Sequence, residues 1–466
     1  MLFETRSLPV LEEAVKHLDL GFAQLPDFEA GYDLDVLRAV MLELAEKMRD
    51  NYPYQHPLYV GQMLKPPHPV ARLAYMLSLY VNPNNHALDG GRASSALEKE
   101  AVANIAAMFG FSSHLGHLTG GGTMANLEAL WVAAQMHPGK TILASEQAHY
   151  THSRISGVLG IPFEKVAVDC FARLDIAALE ERLAGGDVGT VVVTAGTTST
   201  GSVDSLEAVL ALRSKYKFRI HVDAAYGGYF RLASNLDAAV ARTYELIGKA
   251  DSVVVDPHKH GYQPYGCGCV IFADPAVGAL YKHDSPYTYF SSAELHLGEI
   301  SLECSRPGAA AAALWATQQM FPLVADGDFA VGLEASRRAA LSVHQALLES
   351  GDFILPLKPD LDILIYAPKT GNSDKAMKVS DISFASREMF KVAAGHNLHL
   401  ALATLPASLL KGAMAELLEP VELVWDREEL TVLRSCFLKP EHEAWAGTIV
   451  DLIKRCRLEV LAAQTR

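Results

Sequence analysis

Residues 219–228 read RIHVDAAYGG, a short apolar strand pattern that ends in a carboxylate followed by small residues. Similar runs, with little polar alternation and mostly separated by helix-length patterns, lie at residues 141–144, 165–168, 190–195, 252–255 and 269–272. Strands of this kind, interleaved with helices, are typical of a parallel sheet that is covered on both faces. We therefore predict an α/β fold with a mostly parallel central sheet and helices on both faces.

The sequence changes in texture at two places, which predicts three parts. Residues 1–90 are helical and then irregular, and we expect them to shape the pocket and a dimer interface. Residues 91–345 should form the large domain, and residues 346–466 a small C-terminal α+β domain. The strand patterns of this last part lie at residues 353–367, 421–425 and 431–438.

Two helices have recognisable ends. Apolar residues recur at helical spacing between Asp33 and Asp50, which predicts an amphipathic helix. Ser95 and Glu98 have the spacing of a capping box and predict the start of a second helix, which should end at Gly110.

Composition excludes several classes of protein. The 466 residues carry 40 Lys and Arg against 54 Asp and Glu, a net charge of −14, and no basic block offsets it. Nucleic acid and anionic membranes are therefore not expected as partners. Apolar runs are far shorter than the roughly 18 residues of a membrane span. The six cysteines lack the Cys-x-x-Cys spacing of a zinc site, so we expect no metal and a reduced, cytoplasmic enzyme.

Ligands of open parallel sheets bind outside the carboxyl ends of the strands, so the residues there are candidates for a site. Asp223 ends one strand, and a buried carboxylate is costly unless it meets a cation or a strong donor, such as a protonated ring nitrogen. Lys259 follows another strand and the turn residue Pro257, where a lysine can be desolvated and made nucleophilic.

Two further motifs complete the pattern. Residues 118–126 read LTGGGTMAN, and such glycines let the backbone approach an anion while the next helix start donates to phosphate. His149 offers a flat imidazole that would either stack on a planar cofactor or pack in the core. A phosphate cradle, a ring-nitrogen carboxylate, a Schiff-base lysine and an aromatic stacker, in this order, predict pyridoxal 5′-phosphate as the cofactor.

These motifs resemble those of the group II pyridoxal-dependent amino acid decarboxylases, which include aromatic amino acid, tyrosine, histidine and glutamate decarboxylases. The resemblance is carried by residues 119–130, 145–154, 194–204, 221–228, 251–259 and 433–440. It implies the large fold of aspartate aminotransferase-like enzymes, fold type I, in a homodimer whose active sites are shared between subunits.

The resemblance also implies roles for individual residues. Lys259 should bind the cofactor as a Schiff base, Asp223 should pair with the pyridine nitrogen, and His149 and Ala225 should lie on opposite faces of the ring. The other residues expected around the cofactor are Gly122, Thr123, Thr197, Thr198, Asp256 and His258. Thr197 or Thr198 should approach the cofactor O3′ or the substrate carboxylate, and the sequence does not choose between them. Asp256 stands where family members often have Asn.

Further residues are expected on the substrate side. Arg434 matches the arginine that family members place against the substrate carboxylate, and a guanidinium suits that group bidentately. Tyr287 or Tyr289 should protonate the reaction intermediate. Asn84 and His86 are candidates for contacts with the substrate side chain, and Arg306 is a candidate partner for an acidic one.

The expected activity is decarboxylation of an L-amino acid to its amine with release of CO2. An aromatic substrate such as tyrosine is favoured by the aromatic, imidazole and proline content of the irregular N-terminal stretch. Aspartate or glutamate remains an alternative, as does C–C bond cleavage of the sphingosine-phosphate lyase type. A non-catalytic binding protein is a third class, against which the intact Lys259, Asp223 and His149 argue.

Overall fold

The computed structural model describes residues 3–26, 28, 31–86, 90–282, 300–370, 376–415 and 423–464. Its central sheet is built from β1 (Leu115–Thr119), β2 (Thr141–Ser145), β3 (Phe163–Val166), β4 (Val188–Thr194), β5 (Arg219–Asp223), β6 (Ser252–Val255) and β7 (Gly268–Phe272). The strand order is β1-β7-β6-β5-β4-β2-β3, and within it only β7 runs antiparallel to its neighbours. The expected mostly parallel sheet is therefore confirmed.

Helices cover both faces of this sheet. In chain order they and the remaining helices are α1 (Leu8–Leu20), α2 (Leu34–Met48), α3 (Pro69–Leu79), α4 (Arg92–Phe109), α5 (Gly122–Met136), α6 (Thr151–Leu159), α7 (Ile176–Leu183), α8 (Leu206–Tyr216), α9 (Ala238–Leu246), α10 (Gly278–Tyr281), α11 (Gly308–Met320), α12 (Asp328–Ser350), α13 (Val379–Gly395), α14 (Ala407–Ala415) and α15 (His442–Gln464). None of the described helices is long and apolar enough to cross a bilayer.

The two apolar faces of the sheet explain why its strands lack polar alternation. Val253 and Val255 pack into the largest core cluster, with residues of α4, α8 and α9. Val254, between them, points to the opposite face and packs against Ala125 and Ala129 of α5. Since successive side chains of a strand point to opposite faces, a strand buried on both sides must be apolar throughout.

A second, smaller sheet lies in the C-terminal part. The strands there are β8 (Phe353–Ile354), β9 (Ile363–Pro368), β10 (Met377–Lys378), β11 (Ala401–Pro406), β12 (Leu423–Val424) and β13 (Glu429–Cys436). Four of them form an antiparallel sheet in the order β11-β13-β9-β8, while β10 and β12 form a separate parallel pair. Helices α12, α13 and α15 pack against the sheet through one apolar cluster.

Several sequence-based expectations differ from the structure. The run predicted as one strand at 353–367 is divided into β8 and β9, and β1 and β11 were not anticipated. The capping box is wrong, because α4 begins at Arg92 and encloses both of its residues. Its end at Gly110 is right, and this glycine has a left-handed φ of 84°. The domain boundaries at residues 90 and 345 stay a prediction.

Glu98 does not cap a helix but acts as the buried counter-charge of Arg306. Its carboxylate is buried and pairs with Arg306 Nη1 at 2.5 Å, while the backbone N–H of Leu118 donates to it at 3.0 Å. A buried guanidinium needs such a counter-charge, and this tertiary demand overrides the local capping pattern.

The two sheets meet behind the carboxyl ends of β4 and β5. Asp360, just before β9, pairs with Arg173 at 2.6 Å and accepts the backbone N–H of Val203 at 3.0 Å. Gly227 lies so close to this junction that a β-carbon there would overlap the carbonyl oxygen of Ala195 and approach the Leu361 side chain to 2.9 Å. Only a glycine fits between these segments.

We predict that Gly227→Ala lowers the free energy of unfolding by about 2 kcal/mol, because an inserted methyl forces packed backbone apart. Gly157→Ala is the matched control, since a β-carbon at that position in α6 meets no other atom. It should raise stability slightly, by about 0.5 kcal/mol, through the entropy of the unfolded chain. Urea unfolding of the three proteins measures both effects. Equal stability of Gly227→Ala and wild type would contradict the packing that we describe.

Candidate active site

A cavity of about 550 Å³ opens at the carboxyl ends of the central strands. Strands β1, β2, β4, β5 and β6 all point towards this edge, so the segments that follow them converge there. Its walls are formed by Gly120, Gly121, Gly122, Thr123, Met124, Asn126, Leu127, His149, Thr151, Thr194, Gly196, Thr198, Asp223, Ala225, Tyr226, Asp256, His258, Lys259 and Glu303. The structure thus gathers the motifs of five separate segments in one place.

The glycine motif forms the turn between β1 and α5. Gly121 has a φ of 141°, and a β-carbon on Gly122 would lie 2.6 Å from Asp256 Oδ2, so both positions need glycine. The first N–H groups of a helix have no acceptor within it, and they favour an anion. This loop and the start of α5, beginning at Gly122 and Thr123, are suited to cradle a phosphate.

Asp223 is a buried carboxylate on the floor of the cavity. His152 Nε2 lies 2.8 Å from its Oδ2, and the backbone N–H of Ala225 donates to its Oδ1 at 3.1 Å. Burial by itself raises the pKa of Asp223, but the hydrogen bond and charge of His152 outweigh it and hold the pKa below its usual range. The residue is therefore an anion at neutral pH, as a partner for a protonated ring nitrogen must be.

Lys259 lies in the loop after β6, beside two other polar residues of the same loop. Its Nζ is 3.1 Å from Asp256 Oδ2, and His258 Nε2 is 3.6 Å from the same oxygen. Asp256 Oδ1 is buried and has no hydrogen-bond partner among the described residues. Burial lowers the pKa of His258, whose Nδ1 donates to the carbonyl oxygen of Cys267 at 2.8 Å. Lys259 therefore faces the cavity beside the Asp256 carboxylate, which still has one oxygen without a hydrogen-bond partner among the described residues.

His149 lies in the wall after β2, close to the start of α6. Its Nδ1 is 2.5 Å from Thr151 Oγ1 and also accepts the backbone N–H of Thr151. Burial lowers the pKa of His149, which favours the neutral imidazole. A neutral ring held at one nitrogen is suited to stack on a flat cofactor.

The two threonines after β4 are placed differently. Thr198 lines the cavity, whereas Thr197 is fully buried and its hydroxyl lies 2.7 Å from Thr200 Oγ1. Arg434, on β13, donates from Nη1 to the carbonyl oxygen of Thr198 at 2.9 Å and from Nη2 to Gln62 Oε1 at 2.6 Å. Its Nε is buried with no partner among the described residues, and Arg434 itself is not among the residues that line the cavity.

The other substrate-side candidates lie away from this cavity. Asn84 bonds Ser305 Oγ at 3.0 Å and accepts backbone N–H groups of His86 and Arg306. The Arg306 guanidinium is ion-paired with Glu98 and donates to the carbonyl oxygen of Leu118. Its charge is neutralised, so it is not available to an acidic substrate side chain from this position. Tyr287 and Tyr289 lie outside the described residues.

Sequence reasoning missed four residues that the fold brings to this place. They are Gln62, His152, Tyr226 and Glu303. Only His152 carried a signal, since it stands three residues after His149 and close to one helical turn away. No trio of metal-ligating side chains is assembled in the part of the chain that the structure describes.

The site as a whole defines a class of enzyme, one that binds pyridoxal phosphate on a fold type I sheet. The sequence profile of the pyridoxal-dependent decarboxylase conserved domain matches residues 53–365. The chain belongs to this family and is a pyridoxal phosphate-dependent amino acid decarboxylase.

Curated relatives agree with this assignment. The chain is 28% identical to an L-tyrosine decarboxylase of Enterococcus faecium over 417 residues, covering 67% of this chain and 68% of the relative. It is 29% identical to an L-aspartate decarboxylase of Thermococcus kodakarensis over 285 residues, covering 59% and 71% of the two chains.

Solved structures show the same fold. Oryza sativa TDC with PLP and tryptamine superposes with a TM-score of 0.76 at 18% identity, covering 98% of this chain and 99% of that one. The glutamate decarboxylase domain from Vibrio parahaemolyticus gives a TM-score of 0.72 at 18% identity, covering 97% and 96%.

The residues present fit pyridoxal phosphate. Gly122 and Thr123 line the cavity at the start of α5, and the ionised Asp223 lies on the cavity floor as an acceptor for a pyridine N–H. Lys259 opens into the same cavity. The residues expected to contact the phosphate, the ring and the aldehyde of the cofactor therefore line one cavity.

We predict that His152→Leu destabilises the protein by about 1–3 kcal/mol at pH 7, because a buried carboxylate loses its donor. The lowered pKa of Asp223 contributes stability above the usual carboxyl range and loses it as the pH falls. The difference between wild type and variant should therefore stay level from pH 7 to about pH 4 and shrink below the ordinary Asp pKa of 3.8, as measured by urea unfolding. His152→Gln keeps an N–H donor and should recover part of the loss. A difference that stays constant with pH would refute the pairing.

Proposed function

We propose that this enzyme decarboxylates L-tyrosine or a closely similar aromatic amino acid to its amine and CO2. The observation that carries the substrate class is the charge around the cavity. Its acidic side chains are Asp223, Asp256 and Glu303, and Glu303 accepts the N–H of Gly120 at 2.9 Å. Within the described residues, the nearby guanidinium of Arg306 is already neutralised by Glu98. Asp223 and Asp256 already lie beside His152 and Lys259, so Glu303 is the acid that would repel an acidic side chain. An uncharged aromatic ring would meet no such repulsion.

The relatives do not distinguish tyrosine from aspartate as the substrate, because tyrosine and aspartate decarboxylases are both similar to this chain. Aspartate is therefore the second candidate, favoured by those relatives alone. The charge distribution supports tyrosine.

In the proposed roles, Arg434 and Thr198 orient the substrate. Thr198 and Gln62 hold the guanidinium of Arg434 through one N–H each, and Arg434 would offer its remaining N–H groups to the substrate carboxylate. Fixing the carboxylate in this way selects which bond at Cα is broken. Pyridoxal phosphate, when bound, supplies the electron sink. Asp223 would keep the ring nitrogen protonated, and Lys259 would hold the cofactor through its aldehyde.

The cofactor phosphate would lie against Gly122, Thr123 and His258, with His149 over the ring and Ala225 beneath it. Thr198, which faces the cavity, is our choice over the buried Thr197 for ligand contact. Asp256 would release the Lys259 ammonium when the amine takes up the cofactor. Tyr287 and Tyr289 remain the proposed proton donors.

The test is a substrate panel. We expect CO2 and amine from tyrosine, with weaker release from phenylalanine and tryptophan, and little from histidine, aspartate or glutamate. Lys259→Ala should lose both the visible cofactor absorbance and CO2 release, while Lys140→Ala, an exposed lysine, keeps both. Release from aspartate exceeding that from tyrosine would overturn the substrate class. A Lys259→Ala protein that retains turnover would overturn the catalytic assignment.

We further propose a homodimer built on α2. Its apolar side chains are all exposed, among them Leu37, Val40, Met41, Leu44 and Met48, which recur on one face. An exposed apolar stripe of this length marks a contact surface. At its end a second apolar cavity of about 860 Å³ is lined by Met48, Tyr52, Tyr54 and Tyr265, among others. A second copy of the chain would cover both. The free thiols of Cys267, Cys269, Cys304, Cys436 and Cys456 are consistent with the proposed cytoplasmic location.

We predict that Val40→Asp with Leu44→Asp converts the dimer to a monomer in sedimentation analysis and lowers decarboxylase activity, because the shared sites are separated. Glu43→Gln with Glu46→Gln, on the polar face of the same helix, is the matched control and should stay dimeric. A wild-type protein that sediments as a monomer would rule out the assembly.

A further inference from the structure

A buried carboxylate, Asp362, links the small sheet to the wall of the active site. It stands immediately before β9, is fully buried, and its carbonyl oxygen accepts the backbone N–H of Phe437 at 2.8 Å. Its Oδ1 accepts the hydroxyl of Tyr226 at 2.6 Å. Nothing in the reaction as described so far uses this group, yet a buried carboxylate is costly to keep.

Tyr226 is the partner that connects Asp362 to the cavity. It follows β5 three residues after Asp223, lines the cavity, and is otherwise buried. Its ring packs edge-on against His260, the neighbour of Lys259, with ring centres 4.9 Å apart. The phenol is therefore fixed by its ring in the large domain and by its hydroxyl across the domain junction.

Arg434 faces the same region from the small sheet. Its strand β13 pairs with β9, with Arg434 opposite Ile365 and Cys436 opposite Ile363, the residue after Asp362. The positive charge of Arg434 also acts on the phenol of Tyr226. Asp362 and Arg434 therefore stand on neighbouring strands, and each interacts with a residue of the cavity wall: Tyr226 for Asp362, Thr198 for Arg434.

We propose that Asp362 is a positioning residue for this reaction: by holding the Tyr226 hydroxyl across the domain junction, it fixes the separation between Tyr226 and Arg434 and so shapes the subsite for the substrate carboxylate. The inference rests on the proposed role of Arg434. Without the Tyr226–Asp362 hydrogen bond, the two domains would still be joined by Asp360 and Arg173, but the cavity wall would lose its fixed distance from the guanidinium.

The pair is tested with the cofactor-loaded enzyme. Asp362→Leu and Tyr226→Phe each remove the hydrogen bond and should raise KM for the amino acid about tenfold, with a smaller change in kcat. The double variant should match Asp362→Leu, which removes the contact of Asp362 Oδ2 with His260 Nε2 at 3.3 Å as well as this hydrogen bond. Asp362→Asn keeps an acceptor for Tyr226 and should restore KM. Asp360→Asn is the matched control, a buried acid of the same segment that bonds away from the cavity.

Affinity for the product amine separates positioning from general damage. The amine has no carboxylate, so its affinity, read from the change in cofactor absorbance on binding, should be the same in all variants. This readout does not depend on turnover. The inference would be overturned if the variants bound the amino acid and the amine more weakly by the same factor. It would also be overturned if folded Tyr226→Phe kept the wild-type ratio of amino acid affinity to amine affinity. If wild type binds amino acids without releasing CO2 from any of them, the proposed function is wrong. The ratio of amino acid affinity to amine affinity would still test the role of Asp362.

Stability against pH gives a second readout. Burial raises the pKa of Asp362 to about 7, so its carboxyl favours the protonated form in the folded state. Its contribution to stability is present at low pH and is lost as the pH rises towards 7. The stability of wild type relative to Asp362→Asn should therefore fall between about pH 4 and pH 7 and stay level above pH 7. The titratable or charged groups that face it are Lys65, Tyr226, Tyr244, His260 and Cys436. A pH-independent difference would show that Asp362 does not titrate as a buried carboxyl.

Discussion

The structure depends on keeping one negative charge, that of Asp223, inside the protein. A carboxylate at the end of a strand buried on both faces has no water to stabilise it, and His152 and the Ala225 N–H take the place of water. This requirement explains why β2 and β5 must be in the same sheet, since the donor follows one strand and the acceptor ends the other. The cofactor platform is built around that pair.

A second constraint acts where the two sheets meet. The segment 360–362 provides two acids, and they point to different neighbours: Asp360 to Arg173 and Asp362 to Tyr226. Asp360 ties the small sheet to Arg173, between β3 and α7, and Asp362 reaches Tyr226 in the wall of the cavity. Burial and tight packing at Gly227 leave this junction little room to adjust.

Much of the fold was predictable, because parallel strands buried on both faces leave an uninterrupted apolar signature, and β5 and β6 were located to the residue. The motifs around Asp223 and Lys259 were predictable for a related reason, since chemistry in such sheets collects where strands end. The capping box at Ser95 failed because Glu98 serves a guanidinium more than two hundred residues away. Gln62 and Tyr226 were missed because the role of an amide or a phenol depends on its hydrogen-bond partner. Those partners, Arg434 and Asp362, come from distant parts of the chain.

The strand order also bears on how the enzyme is assembled during synthesis. The central sheet is complete at β7, so the glycine turn, Asp223 and Lys259 are all available once residue 272 has been made. Arg434 arrives only with β13, near the end of the chain. During synthesis, all the central strands that end at this cavity therefore leave the ribosome before the strand that carries Arg434.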